Sequence, residues 1–117
     1  MLWGAIIGDI VGSIYEFSNI KTKKFPFFPM NGYITDDSCM TIAVADALMK
    51  WKHDGGDLQQ LTIQSMRQIG FKHPNMGYGF GFAKWLFNKE SNHITVGVTV
   101  QLCVYLRSVG LETASQK

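Results

Sequence analysis

"YITDDSCMTIAVADALMKWK", residues 33–52, sets two adjacent carboxylates directly before a segment with helical periodicity. The apolar residues recur with the 3.6-residue period of an α-helix; they are Met40, Val44, Ala47, Leu48 and Trp51. A Gly-Gly pair follows the segment at residues 55–56 and is a typical helix terminator. We therefore predict a helix over residues 36–52 and an α-helical fold around it.

The paired carboxylates at the start of this helix have two interpretations. Thr35, Asp36 or Ser38 can accept backbone N–H bonds there, and an acid near a helix N-terminus stabilises the helix by about 0.3–1 kcal/mol. Alternatively, Asp36, Asp37 and the Thr35 hydroxyl supply the oxygen ligands that a hard cation such as magnesium prefers. Both interpretations remain open, because a helix cap presents its oxygens at the helix tip.

Three further helices are predicted from periodicity and capping residues. They cover residues 2–17, residues 57–70 with Asp57 as the cap, and a short amphipathic segment, residues 82–87. Residues 18–34 contain prolines and aromatic residues and are expected to form an irregular loop. We expect the tryptophans to anchor the core; they are Trp3, Trp51 and Trp85.

The first predicted helix carries glycines and acids in an apolar context. Gly4, Gly8 and Gly12 repeat every four residues and lie on one face, which predicts close packing against a helix or a ligand. Asp9 and Glu16 are two turns apart and share a face as well. Acids are rarely buried without partners, so we expect this face to join Asp36 and Asp37 in one polar cleft.

Composition excludes several classes of protein. The chain has 117 residues, of which 46% are hydrophobic and 17% charged, as in a small globular domain. The net charge of +2, without a long basic run, argues against nucleic-acid binding. Two cysteines provide no disulfide framework and suit a reducing, cytoplasmic location. The apolar N-terminal run is too short to span a bilayer and lacks a basic leader, so no membrane association is expected.

Two motifs resemble those of the ADP-ribosylglycohydrolase family. The stretch "GAIIGDIVGSIYEF", residues 4–17, is similar to the family's opening helix, G-x-x-x-G-D-x-x-G-x-x-x-E. "TDDSCM", residues 35–40, is similar to its T-D-D-[ST]-x-M motif, and "GYGFGFAKWLF", residues 77–87, looks like its glycine-rich segment. The resemblance covers roughly the first ninety residues.

The resemblance implies a fold, a reaction and a set of site residues. Family members are all-α, bind two magnesium ions and hydrolyse the glycosidic bond between ADP-ribose and an ADP-ribosylated protein or a small ADP-ribose conjugate. By resemblance, the metal ligands are Thr35, Asp36 and Asp37, and Glu16 is the catalytic acid. The candidate substrate-binding residues are Asp9, Gly77 and Gly79.

The sequence departs from the family pattern toward its C-terminus. Family chains are more than twice as long and carry a D-x-D-T motif that supplies further ligands, whereas Asp57 is the last aspartate here. Back-translation of residues 93–110 with suitable synonymous codons gives, in another frame, a segment resembling the family's next motif, Y-N-S-x-G-N-G. We therefore divide the chain into residues 1–92, an N-terminal part of the family domain, and residues 93–117, a frameshifted or non-native tail.

Two functions follow from this division. The first is a magnesium-dependent ADP-ribosyl hydrolase of which this chain is an inactive part with an incomplete two-ion site. The alternative is a non-catalytic remnant of the family that binds a nucleotide or serves a structural role.

Overall fold

Helices account for all the regular secondary structure in the described part of the chain. A computed structural model describes residues 2–88. Its elements, in chain order, are α1 (Leu2–Gly12), a 3₁₀ turn (Ser13–Tyr15), α2 (Asp36–Asp54), α3 (Leu58–Lys72) and α4 (Phe80–Phe87). Because residues 2–88 contain no strand, the all-α prediction is confirmed for that range. The predicted tail, residues 93–117, lies outside the described residues.

Capping residues fix the starts of α2 and α3. Thr35 has extended backbone angles, and its hydroxyl accepts a hydrogen bond from the Asp37 N–H at 3.3 Å. The Asp57 carboxylate accepts the Gln59 and Gln60 N–H groups at the start of α3. Gly55 ends α2 with a φ of 73°, a backbone conformation that favours glycine. Both helix starts were predicted correctly, and both helices end slightly later than predicted.

The core of the described region lies where α2 packs on α3, and α1 also contacts α2. Small side chains on α2 allow α3 to approach closely. The buried residues of the pair are Ser38, Cys39, Ala43, Val44 and Ala47 of α2 and Thr62, Ile63, Ser65, Met66 and Gly70 of α3.

The tryptophan prediction is correct for one residue of three. Trp85 is buried, as expected, whereas Trp3 is 76% exposed and Trp51 is 38% exposed. Trp3 lies in the first turn of α1 and Trp51 in the last turns of α2. Both residues lie near helix ends, so the prediction that they anchor the core is wrong for these two.

The end of α1 is set by a contact with the following loop. The Ser13 hydroxyl donates to the Ile10 carbonyl at 2.9 Å and accepts the Tyr33 N–H at 3.1 Å. Gly32 comes so close to α1 that an added Cβ would lie 2.9 Å from the Ile10 carbonyl oxygen. The helix predicted over residues 2–17 therefore ends at Gly12 and continues as a 3₁₀ turn, because the returning loop binds at this point.

The glycine face of α1 is open within residues 2–88. A Cβ added at Gly4, Gly8 or Gly12 would meet no heavy atom within 4 Å. The expected close packing of this face is therefore not found among the described residues.

The chain divides into two units, residues 1–78 and residues 79–117. The first contains α1, α2 and α3, and α4 is the described element of the second. Within residues 2–88, no helix combines the length and apolar content needed to cross a membrane.

Candidate functional site

The N-terminus of α2 gathers the acidic residues that the sequence singles out. Asp36 and Asp37 occupy the first turn, directly after the Thr35 cap. The helix dipole favours negative charge at this position, so the pair is partly stabilised by the helix itself. Thr35 is buried, Asp36 is half-buried and Asp37 is exposed, so the carboxylates lie at the edge of the protein and the hydroxyl lies beneath them.

Asp9 of α1 binds this helix start from the side. Its Oδ1 accepts the Thr35 hydroxyl at 2.5 Å, and its Oδ2 accepts the Thr35 N–H at 2.9 Å. The same Oδ2 accepts the Ser38 hydroxyl at 2.5 Å and the Ser38 N–H at 3.3 Å. The carboxylate thus satisfies two backbone N–H groups that a helix leaves without intrahelical partners.

Hydrogen bonding determines the ionisation of Asp9. Burial by itself raises the pKa of the Asp9 carboxyl, but the hydrogen bonds from Ser38 and Thr35 outweigh burial and bring the pKa below its ordinary value. Asp9 is therefore ionised at neutral pH, and its charge is balanced by donors from α2.

Asp36 has the opposite electrostatic environment. Burial and the charge of Asp37 raise the pKa of the Asp36 carboxyl, and Glu16 and Asp9 add to the effect. Within residues 2–88, the charged neighbours that act on this pKa are all acids. A bound cation would relieve this repulsion, since an opposite charge nearby favours the ionised form.

Glu16 lies close enough to act on Asp36, although it is exposed and follows the 3₁₀ turn. Asp9, Glu16 and Asp37 therefore all act on Asp36. Because α1 ends at Gly12, Glu16 does not share a helical face with Asp9, and the single polar cleft stays a prediction. The catalytic role of Glu16 and the substrate-binding role of Asp9 remain predictions.

The side chains at the α2 start offer oxygen donors, and whether they bind magnesium remains a prediction. Thr35 Oγ1 and the carboxylates of Asp36 and Asp37 are oxygen donors, the type that magnesium takes. Within residues 2–88, no three His, Cys, Asp or Glu side chains are grouped closely enough to hold a metal ion. The local set is thus two carboxylates and a hydroxyl, and magnesium bound to so few protein ligands keeps several of its waters.

Tyr78 approaches the same turn of α2 from the glycine-rich loop. Its hydroxyl donates to the His73 carbonyl at 2.9 Å and also interacts with the Cys39 thiol. Burial, followed by Cys39, raises the pKa of Tyr78 to about 12, and burial also raises the pKa of the Cys39 thiol. Both groups are neutral at physiological pH, so Cys39 is a packed residue here and not an activated nucleophile.

The two candidate substrate-binding glycines flank Tyr78. Gly77 has a φ of 86°, which favours glycine, and Gly79 precedes α4 as its N-cap. A Cβ added at either position would meet no described atom within 4 Å. The structure therefore gives a conformational reason for Gly77, and binding by either residue remains a prediction.

Two contacts beside the acidic helix start were not predicted from sequence, although Ser38 itself was considered as a cap residue. Ser38 is only 1% exposed and donates twice to Asp9. Tyr78 reaches Cys39 across nearly forty residues of sequence. Serine three residues after a cap is a common helix residue, and neither long-range contact has a signature in local periodicity.

The fold and the α2 start define a class: helical proteins in which a capped helix presents paired aspartates as a candidate cation site. A sequence model of the ADP-ribosylglycohydrolase family matches residues 1–102. Since this match covers most of the chain, the protein belongs to the ADP-ribosylglycohydrolase family. Neither a curated protein nor a solved structure matches it. The match ends inside residues 93–117, so the boundary at residue 92 stays a prediction.

Proposed function

We propose that the chain provides the acidic N-terminal part of a magnesium-dependent ADP-ribosyl hydrolase. The reaction is hydrolysis of the glycosidic bond between ADP-ribose and an acceptor on a protein or a small molecule. Membership of the family supports the reaction class. The observation that carries the site assignment is the Asp36 carboxyl, on which three other acids act at the N-terminus of one helix.

In this proposal Thr35, Asp36 and Asp37 hold the metal. When bound, magnesium supplies a positive charge that orients ribose oxygens and lowers the pKa of water. Glu16 is exposed beside Asp36, where its carboxylate takes or returns a proton during hydrolysis. Asp9 is fully engaged with α2 through both of its oxygens, so its contribution is to hold the helix start in place.

A second candidate is the non-catalytic nucleotide-binding remnant. Asp57 is the last aspartate of the 117 residues, so the chain offers no D-x-D-T segment to complete the cation site. We expect the 117-residue chain alone to release no ADP-ribose. Binding of ADP-ribose without hydrolysis, even in a chain with the alternative frame restored, would favour this second function.

The test is release of ADP-ribose from a modified protein, with and without magnesium. Two proteins are compared: the 117-residue chain and a chain in which codons after residue 92 are read in the alternative frame through the downstream sequence. We expect magnesium-dependent release from the second, abolished by Asp36→Ala or Asp37→Ala.

The matched control is Asp54→Ala, which removes an exposed acid at the opposite end of α2. Release that is equally sensitive to Asp54→Ala would show a general charge effect and contradict the site assignment. Turnover by the 117-residue chain itself would show that further ligands are dispensable.

A further inference from the structure

The Thr35 hydroxyl donates a hydrogen bond to the Asp9 carboxylate. Thr35 Oγ1 donates to Asp9 Oδ1 at 2.5 Å, while Asp9 Oδ2 accepts the backbone N–H groups of Thr35 and Ser38. A hydroxyl oxygen also has two lone pairs, one of which accepts the Asp37 N–H at 3.3 Å. With the proton directed at α1, the second lone pair remains for another partner at the acidic helix start.

We propose that Asp9 is a positioning residue that orients the Thr35 hydroxyl so that its oxygen presents a lone pair to a divalent cation held with Asp36 and Asp37. The inference rests on the magnesium site of the proposed function. A hydroxyl binds a cation through its oxygen, and a proton turned toward the cation opposes binding. Groups that orient a ligand in this way typically change metal affinity by about 10–100-fold.

Asp9→Asn tests this orientation because the neighbouring backbone groups allow the Asn amide only one orientation. Asp9 Oδ2 faces the backbone N–H groups of Thr35 and Ser38, which cannot reverse their polarity. The amide oxygen of Asn must therefore take the Oδ2 position, which leaves the NH₂ group facing Thr35 Oγ1. The hydroxyl must then accept this N–H, and its proton turns toward the helix start.

Ser38→Ala is the matched control for loss of the helix cap. It removes a 2.5 Å hydrogen bond to the same Asp9 carboxylate, from a side chain that is also buried. It leaves the contact between Thr35 Oγ1 and Asp9 Oδ1 unchanged. If Asp9 only stabilised α2, the two variants would weaken cation binding in proportion to their loss of stability.

The experiment measures Mn²⁺ binding to the 117-residue chain by the loss of the free-ion electron paramagnetic resonance signal. Urea unfolding, followed by circular dichroism, reports stability for each variant. We expect Asp9→Asn to weaken Mn²⁺ binding about 10–100-fold, and Ser38→Ala to leave it close to that of the wild type. Equal weakening in both variants, or none in Asp9→Asn, overturns the inference.

A second variant keeps the test decisive if Asp9→Asn does not fold. Thr35→Val lacks the hydroxyl oxygen and is expected to bind Mn²⁺ about 10–100-fold more weakly than the wild type. If Thr35→Val binds Mn²⁺ with wild-type affinity, the inference is overturned but the proposed metal site is not. A folded wild-type chain that binds no Mn²⁺, or binds it equally well after Asp36→Ala, overturns the proposed metal site and the inference with it.

Discussion

Ser65→Ala tests how much one hydrogen bond between α2 and α3 contributes to the stability of the protein. The Ser65 hydroxyl is fully buried on α3 and donates to Asp46 Oδ2 on α2 at 2.6 Å. Lys50 Nζ donates to the same oxygen at 2.5 Å from the next turn of α2. The serine joins the two helices through a short hydrogen bond, whereas the lysine pairs closely only with Asp46 of its own helix and reaches Ser65 Oγ at 3.5 Å. We therefore expect the serine to contribute more to stability than the lysine.

We expect the loss of stability to differ between Ser65→Ala and Lys50→Ala because the two side chains differ in exposure. Hydrogen bonds to charged groups contribute about 1.5–3 kcal/mol, and the lower end applies here because the Asp46 side chain is 33% exposed. The Lys50 side chain is 42% exposed, and exposed i,i+4 pairs contribute about 0.3–0.5 kcal/mol. We expect Ser65→Ala to lower the free energy of unfolding by about 1.5 kcal/mol and Lys50→Ala by about a third of that.

The pH dependence of this prediction follows from Asp46. The hydrogen bonds from Lys50 and then Ser65 bring the pKa of the Asp46 carboxyl below its ordinary value of 3.8. The unfolded state therefore binds a proton first, so the stabilisation is complete above pH 3.8 and is lost as the pH falls through the lower folded-state pKa. The difference in the free energy of unfolding between wild type and Ser65→Ala should become smaller in that acidic range.

The assay is urea unfolding followed by circular dichroism, at neutral pH and below the pKa of free aspartate. A double-mutant cycle between Ser65→Ala and Asp46→Asn isolates the coupling between the two side chains. If Lys50→Ala costs as much as Ser65→Ala, or if the cycle shows no coupling, the reasoning from burial is wrong.

Three further predictions concern the acidic helix start and the loop that returns to it. Without divalent cations, Asp36→Asn should raise the urea midpoint of unfolding, because it removes a charge opposed by burial and by Asp37. With saturating magnesium, the wild type should have the higher urea midpoint. A variant that keeps the higher midpoint in magnesium would contradict the cation site. Gly32→Ala should lower the free energy of unfolding by about 1–3 kcal/mol, seen as a lower thermal midpoint, because its Cβ would meet the Ile10 carbonyl at 2.9 Å. The matched Gly8→Ala has open space in the described structure and should instead stabilise α1 by about 0.5–1 kcal/mol; equal effects of the two changes would contradict the close approach. Glu16→Gln, at an exposed position, should leave stability within about 0.5 kcal/mol but abolish magnesium-dependent release of ADP-ribose in the restored-frame chain; full activity would remove Glu16 as the catalytic acid.

The helices were predictable where the sequence carries its own capping chemistry. Thr35 and Asp57 each precede an apolar-periodic segment, and each caps the helix that follows. The end of α1 was not predictable in this way, since it depends on Tyr33 reaching Ser13 across twenty residues. A local pattern records which residues favour a helix, but not where a distant loop will bind it.

The grouping of the acids was predictable, but their separate environments were not. Helical spacing placed Asp9 and Glu16 on one face, and the described residues bring both near Asp36. Only the structure shows that donors from α2 lower the pKa of Asp9, while burial and other acids raise that of Asp36. The pKa of Asp9 depends on contacts between α1 and the start of α2, which have no local sequence signal. The pKa of Asp36 depends first on burial, which is also not visible locally, and then on the adjacent Asp37.

This difference bears on whether the helix start is a cap or a cation site. Capping needs Thr35 and Asp9, which together satisfy the N–H groups of Thr35, Asp37 and Ser38. The helix dipole favours each added carboxylate by about 0.3–1 kcal/mol, yet the raised pKa of Asp36 means that burial and repulsion outweigh that gain. Capping therefore explains Asp9 and Thr35 but leaves Asp36, with Asp37 and Glu16 beside it, at an electrostatic cost. A divalent cation offsets that cost, which is why we favour the cation site built on the cap.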